Sequence, residues 1–414
     1  MPVHLFKAFI KELPDVCEIK LIAGDSLRQV LSKHRDPRLA KMLIKKIWNL
    51  AKKLDDVKIM HVCGTHEYTI THWGIRTLLP ENVEVRAGPG CPVCITPASD
   101  IDSAIKLALD GVNVLTYGDM SRAKGSRMIS LEDCGARGGK VGIVYSFMDA
   151  VKLARSNPNQ EYVFLGAGFE TTAPIVAYSV LKGLPENLKI ISSHRYVPPA
   201  VGLLAESEDL AIDAFINPGH ASTISGMKAY KPYFDEVRKP MVFAGFEPLD
   251  VLLAIYMILK QIRDRSPKME NEYRRAVTWD GNVDAQKNLR EVFDFDDGYW
   301  RGVAIVPKSA MNFKEKFSKV DARKIYGLAS GKGDHFPLNA RCAEVIKGLI
   351  DPPECPLYMK RCTPATPIGP TMVGVEGTCR IWAQHKIVGV KCRSGVCKID
   401  SESSPRTKGM LKEG

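Results

Sequence analysis

What most constrains this chain is an alternation. Near-continuous apolar runs of six to eight residues recur with helical stretches between them. The first four runs are VKIMHV (57–62), VEVRAG (83–88), VNVLTYG (112–118) and KVGIVY (140–145). A second series follows in EYVFLGAG (161–168), LKIISS (188–193), IDAFINPG (212–219) and PMVFAGF (240–246). Strands that are apolar on both sides of the pleat need cover on both faces, and helices that follow strands supply it in parallel sheets. Intervening segments such as DIDSAIKLALD, MDAVKLARS and APIVAYSVLKG carry apolar residues at helical spacing. The expected fold is α/β: two parallel-sheet domains at 41–150 and 151–266, with a third, mostly helical and loop-rich domain built from 1–40 and 267–414. A chain of 414 residues is long enough for two or three cores.

Individual elements can be read within this frame. HRDPRLAKMLIKKIWNLAKKL (34–54) reads as one helix, with Asp36 as N-cap and Pro37 in the first turn. The most apolar run, Leu249 to Leu259, is too short to span a bilayer and reads as a buried helix. NEYRRAVTWDGNVDAQKNLREVFDF reads as mostly helical. From Gly331 to Gly377 the chain is rich in Pro, Gly and Cys, so apolar burial alone orders it poorly and a cross-link or metal cluster is expected. The last stretch, SESSPRTKGMLKEG, is expected to be disordered. The N-terminal residues lack the apolar core of a signal peptide, which places the protein in the cytoplasm with no membrane association.

Function is expected where the strands end. HVCGTHE, AGPGCPVC, TYGDM, GAGFETT, SSHRYVPP, NPGH and GFEP all follow apolar runs. Sites in open α/β sheets form beyond the carboxyl ends of the strands. One glycine in such a loop need only permit a turn. Seven loops that also carry Cys, His, Asp and Glu point to a shared cleft. GAGFETT lacks the lysine and spacing of a phosphate-binding loop, so no nucleotide site is expected.

Eleven cysteines in a reducing compartment argue for metal ligation or redox chemistry rather than a disulfide framework. Cys342, Cys355, Cys362 and Cys379 are separated by 12, 6 and 16 residues, which does not match paired zinc-ribbon spacing. Four thiolates at variable spacing can hold a [4Fe–4S] group, and zinc stays open. Cys91 and Cys94 form a C-x-x-C pair suited to redox exchange, or half of a zinc site completed by Cys63 and His66. Cys63 in HVCGTHE can bind a soft metal or act as a nucleophile. The net charge is +11, and the last 114 residues hold 20 Lys and Arg against 10 Asp and Glu. That segment has few aromatics and no nucleic-acid motif, so no nucleic-acid partner is expected. The charge can instead offset thiolates around a metal centre.

Taken together, HVCGTHE, GPGCPVC, TYGDM, GFETTAP, VPPA, NPGH, GFEPLD, NEYRRAV and CPLYMKRCTP…EGTC resemble the HypD family of hydrogenase maturation factors, from about residue 34 to about 385. The resemblance implies a scaffold on which the Fe(CN)2CO group of [NiFe]-hydrogenases is assembled, a redox-active scaffold rather than a stand-alone enzyme. It implies a HypC-type chaperone and a HypE-type cyanide donor as partners. Iron carrying CN and CO would sit on Cys63, Cys91 and Cys94 would be the redox dithiol, and Cys342, Cys355, Cys362 and Cys379 would hold a [4Fe–4S] cluster in the third domain. His66, Asp119, His220 and Glu376 would lie near the functional path. The chain departs from the pattern at Thr371, where many members have a further cysteine, and at Ala340, where some do. Cys134, Cys392 and Cys397 have no counterpart role. Two alternatives compete: an iron–sulfur thiol–disulfide oxidoreductase similar to ferredoxin–thioredoxin reductase, and a zinc-bearing interaction module. Cys63 favours the scaffold, because a disulfide reductase does not need it.

Overall fold

The computed structural model describes residues 34–328 and 336–385, together with the backbone of 390–393 and 396–399. The tail SESSPRTKGMLKEG and residues 1–33 lie outside the described residues.

Nine strands build two parallel sheets. They are β1 (Val57–His61), β2 (Val83–Ala87), β3 (Asn113–Thr116), β4 (Val141–Ile143), β5 (Tyr162–Gly168), β6 (Leu188–His194), β7 (Ala214–Pro218), β8 (Met241–Ala244) and β9 (Met269–Asn271). The first sheet has the order β2-β1-β7-β8-β9 and the second β4-β3-β5-β6. Every pairing within them is parallel. The sheets therefore do not follow the two successive series of apolar runs. The chain leaves the first sheet after β2, completes the second sheet as an insertion, and returns at β7. Within its own sheet each follows the doubly wound order, in which the second strand lies to one side of the first and the third to the other. The crevice of the first sheet opens between β1 and β7, and that of the second between β3 and β5.

Helices cover both faces of each sheet. The helix Pro37–Ala51 forms as its sequence indicates: Asp36 accepts a hydrogen bond from the Arg38 N–H at 2.8 Å, and Pro37 occupies the first turn. Its buried Leu43, Ile47 and Leu50 meet Ile255 and Ile258 of the helix Pro248–Arg263 on one face of the first sheet. Each such side chain, fully buried, contributes about 1.5–3 kcal/mol. The other face carries Val201, Leu204, Tyr230 and Phe234. The second sheet is covered by Ile101, Ala104 and Leu107 on one side and by Phe147, Val151, Val176 and Leu289 on the other.

The segment after 267 contains sheet as well as helix. Of NEYRRAVTWDGNVDAQKNLREVFDF, only Val283–Val292 is helical, capped by Asn282. Phe293 begins β10 (Phe293–Trp300), which pairs antiparallel with β11 (Ala304–Phe313). The alternation of FDFDDGYW, with Phe293 and Trp300 buried in two cores, outweighs its helical reading. Residues 336–385 pack as short turns around Val345, Tyr358, Met372 and Trp382. Beyond them, β12 (Val390–Arg393) pairs antiparallel with β13 (Val396–Ile399), and the register sets Cys392 opposite Cys397. No described helix is long and apolar enough to cross a membrane.

Candidate functional site

Cys63 sits at the switch point of the first sheet. Val62 extends the pairing of β1 through its N–H to the Ile216 carbonyl. Cys63 then stays extended (φ −158°, ψ 129°) and caps the helix Gly64–His72. Two glycines bring other backbone against it. A Cβ on Gly90 would stand 2.2 Å from the Cys63 nitrogen, and one on Gly64 would stand 2.4 Å from the Glu376 Cβ. Burial, with the Glu376 carboxylate adding to it, pushes the Cys63 thiol up to about 12, against the N–H groups of His66 and Thr65.

The loop Gly88–Gly90 brings the dithiol to the same place. Gly88 donates to the His61 carbonyl and Gly64 to the Gly90 carbonyl. Cys91 caps the short helix Pro92–Ile95, and its sulfur accepts from the Cys94 N–H at 3.2 Å. Cys91 and Cys94 are joined in a disulfide, with Cα atoms 5.3 Å apart. A cleft with about 280 Å³ of empty space is lined by Cys63, Cys91, Cys94, Glu376, Thr371 and Glu67, among others. A cleft with a metal-capable thiol and a dithiol on one wall can both bind a soft cation and exchange electrons.

Glu376 enters from the C-terminal segment. Its carboxylate accepts from the Thr65 hydroxyl at 3.3 Å. Burial raises its pKa, and the nearby Asp119 raises it further. Asp119 follows β3 at the switch point of the second sheet, and its carboxylate accepts from the Val375 N–H. Burial is again the leading cause that raises it. The two switch points thus meet across the Gly374–Gly377 turn, which sets Glu376 beside Cys63 and Asp119 near Glu376.

The rings of His66 and His220 have other partners. His66 is fully buried, and its Nε2 donates to the Gly245 and Ala244 carbonyls at 2.9 and 3.2 Å. Burial brings its pKa down to about 3, so the ring is neutral. Its ring centroid is 4.8 Å from that of Phe246, and the exposed His220 ring stacks on the same Phe246 at 3.8 Å. The two histidines therefore meet on Phe246 at the end of β8, outside the residues that line the cleft.

Glu67 joins the parts. Its carboxylate accepts from His61 (2.8 Å), Thr71 (2.6 Å), Arg76 (2.6 and 2.9 Å) and the Trp382 indole (2.6 Å). Burial opposes its charge, but Arg76 and His61 hold the carboxyl well below the usual range. The Arg76 guanidinium also lies over the Trp382 ring, 5.2 Å from its centroid.

A second cavity, with about 310 Å³ of empty space, is lined by Cys342, Cys355, Cys362 and Cys379 together with Tyr358, Met372 and Thr371. All four cysteines are buried and free of disulfides. Burial pushes the Cys342 thiol up to about 12, reinforced by Cys355 and Cys362, and raises the Cys379 thiol well above its ordinary value. Donors reach two of the sulfurs: the Thr371 hydroxyl to Cys379 at 3.2 Å and the Ile368 N–H to Cys362 at 3.4 Å. Buried thiols such as Cys342 and Cys379 ionise more readily when positive charge is placed among them. Among the described residues, no group of three or more Cys, His, Asp or Glu is gathered tightly enough to chelate a single ion. The four thiols line a common space instead, and that donor set fits an iron–sulfur group.

The structure thus brings together Cys63, Cys91, Cys94 and Glu376, sets Asp119 beside Glu376, and gathers the four C-terminal cysteines. It keeps the His66 N–H at the Cys63 sulfur and gives the His66 and His220 rings a common partner in Phe246. Sequence reasoning marks Thr371 only as a departure from the family pattern and Glu67 only as a neighbour of Cys63; it misses that Thr371 lines both cavities and that Glu67 meets Trp382, remote in the chain. Glu67 has a local signal in its place within HVCGTHE and in Arg76 nine residues on. Thr371 has none.

Comparison with known proteins agrees over nearly the whole described chain. A family model named HypD and described as "Hydrogenase formation hypA family" matches residues 38–386. The chain is 45% identical over 354 residues to a Methanocaldococcus jannaschii protein named for hydrogenase expression and formation, covering 85% of this chain and 98% of that one. It is 38% identical over 383 residues to hydrogenase maturation factor HypD of Rhizobium leguminosarum bv. viciae, covering 90% and 98%. It is also 38% identical over 366 residues to hydrogenase maturation factor HypD of Escherichia coli K12, covering 86% and 98%.

Proposed function

The chain belongs to the HypD family of hydrogenase maturation factors, and we propose that it is a cytoplasmic scaffold on which iron acquires CN and CO ligands. The observation that carries this reading is one cleft lined by Cys63 and by the Cys91–Cys94 pair, with a four-cysteine cavity behind it across Thr371. A stand-alone reductase has no use for the buried Cys63 in the same cleft.

Cys63 is the ligand to the cargo iron. Its thiol is held neutral by burial, so iron displaces a proton on binding. Glu376, beside Cys63 and with Asp119 near it, lies where that proton goes or returns. CN and CO are strong-field ligands that suit low-spin iron(II) with thiolate as companion. The Cys91–Cys94 pair exchanges electrons by opening and closing its S–S bond. Cys342, Cys355, Cys362 and Cys379 hold a [4Fe–4S] cluster, which supplies one-electron chemistry beside that pair. A HypC-type chaperone shares the iron with Cys63, and a HypE-type protein delivers the cyanide.

Anaerobic purification with iron, sulfide and zinc analysis tests the reading, alongside Cys355→Ala. About four irons and four sulfides per chain, lost in the variant, are expected. Zinc without sulfide sinks the cluster. Infrared bands of iron-bound CN and CO, present when the chain is coexpressed with its partners and absent in Cys63→Ala, are expected for the scaffold. A thiol–disulfide oxidoreductase, the second reading, is favoured by the closed disulfide beside the four-cysteine cavity. It predicts a redox-active dithiol and no such bands.

A further inference from the structure

One turn of chain separates the two cavities: the helix Pro370–Val373, followed by Gly374. Thr371 lines both. On one side its hydroxyl donates to the Cys379 sulfur at 3.2 Å and also favours the charged form of Cys342. On the other side the Cys94 sulfur lies 3.5 Å from the Pro370 carbonyl oxygen. A Cβ on Gly374 would stand 2.9 Å from the Cys91 sulfur and 3.5 Å from that of Cys94, so the turn lies directly against the disulfide. The Pro370 carbonyl and the Thr371 N–H belong to one planar peptide unit.

We infer that Thr371 is a positioning residue that couples the dithiol to the four-cysteine cavity, its hydroxyl tuning the group held there and its peptide sensing whether Cys91–Cys94 is open. This rests on the cluster reading given above. With the disulfide closed, the Cys94 sulfur carries no hydrogen and makes only an S···O contact with Pro370. An external dithiol opens the pair: the reductant's two sulfurs join to each other, the Cys91–Cys94 bond breaks, and each freed sulfur takes a proton. The Cys94 S–H then donates to the Pro370 carbonyl. A hydrogen bond there polarises the peptide and fixes the turn from which the Thr371 hydroxyl reaches Cys379. A donor to a ligating sulfur stabilises the negative charge added on reduction, so it raises the reduction potential of the group that sulfur binds.

The experiment compares wild type, Thr371→Ser and Thr371→Val for iron and sulfide content and for the midpoint potential read by EPR during a redox titration. Valine matches threonine in shape and lacks the hydroxyl; serine keeps it. With iron and sulfide retained, the potential of Thr371→Val is expected to shift negative and that of Thr371→Ser to stay at the wild-type value. The coupling is read in a cycle with Cys94→Ser, which keeps a donor to Pro370, and Cys94→Ala, which removes it. The potentials of these two variants are expected to differ when Thr371 is intact and to coincide in the Thr371→Val background. Loss of iron from Thr371→Val alone also supports the inference, because only the hydroxyl differs. Loss from both Thr371 variants, an unshifted potential in Thr371→Val, or a Cys94 difference that persists in that background overturns it. Absence of iron and sulfide from the wild type overturns the cluster reading and the inference with it; their presence with an unshifted Thr371→Val overturns the inference alone.

Discussion

Trp382 donates its indole N–H to the Glu67 carboxylate at 2.6 Å, joining residues 315 positions apart. Trp382 lies on the helix Thr378–Gln384, which carries Cys379 at its start, and Glu67 lies on the helix that begins after Cys63. One buried carboxylate thus fixes the distance between the two sulfur sites.

Removing the donor alone tests that link. Trp382→Phe keeps most of the ring and leaves the carboxylate short of one partner, which costs about 1–3 kcal/mol. Faster amide hydrogen exchange is expected across 378–384 and little change in the helix Val197–Glu206 on the other face of the first sheet. Equal loosening in both would argue that Trp382 serves the fold at large.

Glu67 predicts a pH dependence. Its folded-state carboxyl is held below its ordinary value of 4.5, so its stabilising contribution is present above pH 4.5 and is lost as pH falls below it. Glu67→Gln removes one partner of the buried pair with Arg76 and is expected to cost about 3–5 kcal/mol at neutral pH. Thermal unfolding of wild type and variant should converge as pH drops below that ordinary value. A gap that stays constant with pH would mean that Glu67 acts by shape.

Glu376 predicts the reactivity of Cys63. After burial, the Glu376 carboxylate is the cause that raises the Cys63 thiol, so neutralising it favours the thiolate. In Glu376→Gln, alkylation of Cys63 at a fixed pH below about 12 should be faster, with roughly tenfold expected for each unit of pKa lowered. Mass spectrometry of the Cys63 peptide reads this. An unchanged rate would place the Glu376 charge elsewhere in solution.

Gly90 predicts a separation of fold from function. Its missing Cβ leaves room for the Cys63 backbone, 2.2 Å from where that atom would be. Gly90→Ala must displace the loop, at about 1–3 kcal/mol for local overpacking. Circular dichroism should stay near wild type while the infrared bands of the iron ligands weaken or vanish. Full retention of the bands would show that Cys63 tolerates the shift.

Much of the fold is legible locally. The helix Pro37–Ala51 follows from Asp36, Pro37 and an apolar stripe, and the strand runs follow from continuous burial on both faces. Sheet membership is not legible, because which strands pair depends on contacts far apart in the chain. Ala214–Pro218 joins Val57–His61, and Asn113–Thr116 joins Tyr162–Gly168, although sequence order sorts them otherwise. Phe293 to Phe295 read as the end of a helix in isolation, because the strand they begin is set by a partner, Ala304–Phe313, that a local pattern does not reveal.

The site divides along the same line. Which residues carry chemistry is written in the chain: Cys63, Cys91, Cys94 and four more thiols are marked by residue type and by their loops. How those residues combine is a product of packing. Packing closed the disulfide against Pro370, put Thr371 between the two cavities, set Asp119 from the second sheet beside Glu376, and turned His66 and His220 toward Phe246. The physical reason is that side-chain chemistry is local, whereas desolvation, hydrogen-bond partners and shared cavity walls arise only when segments distant in sequence are packed together.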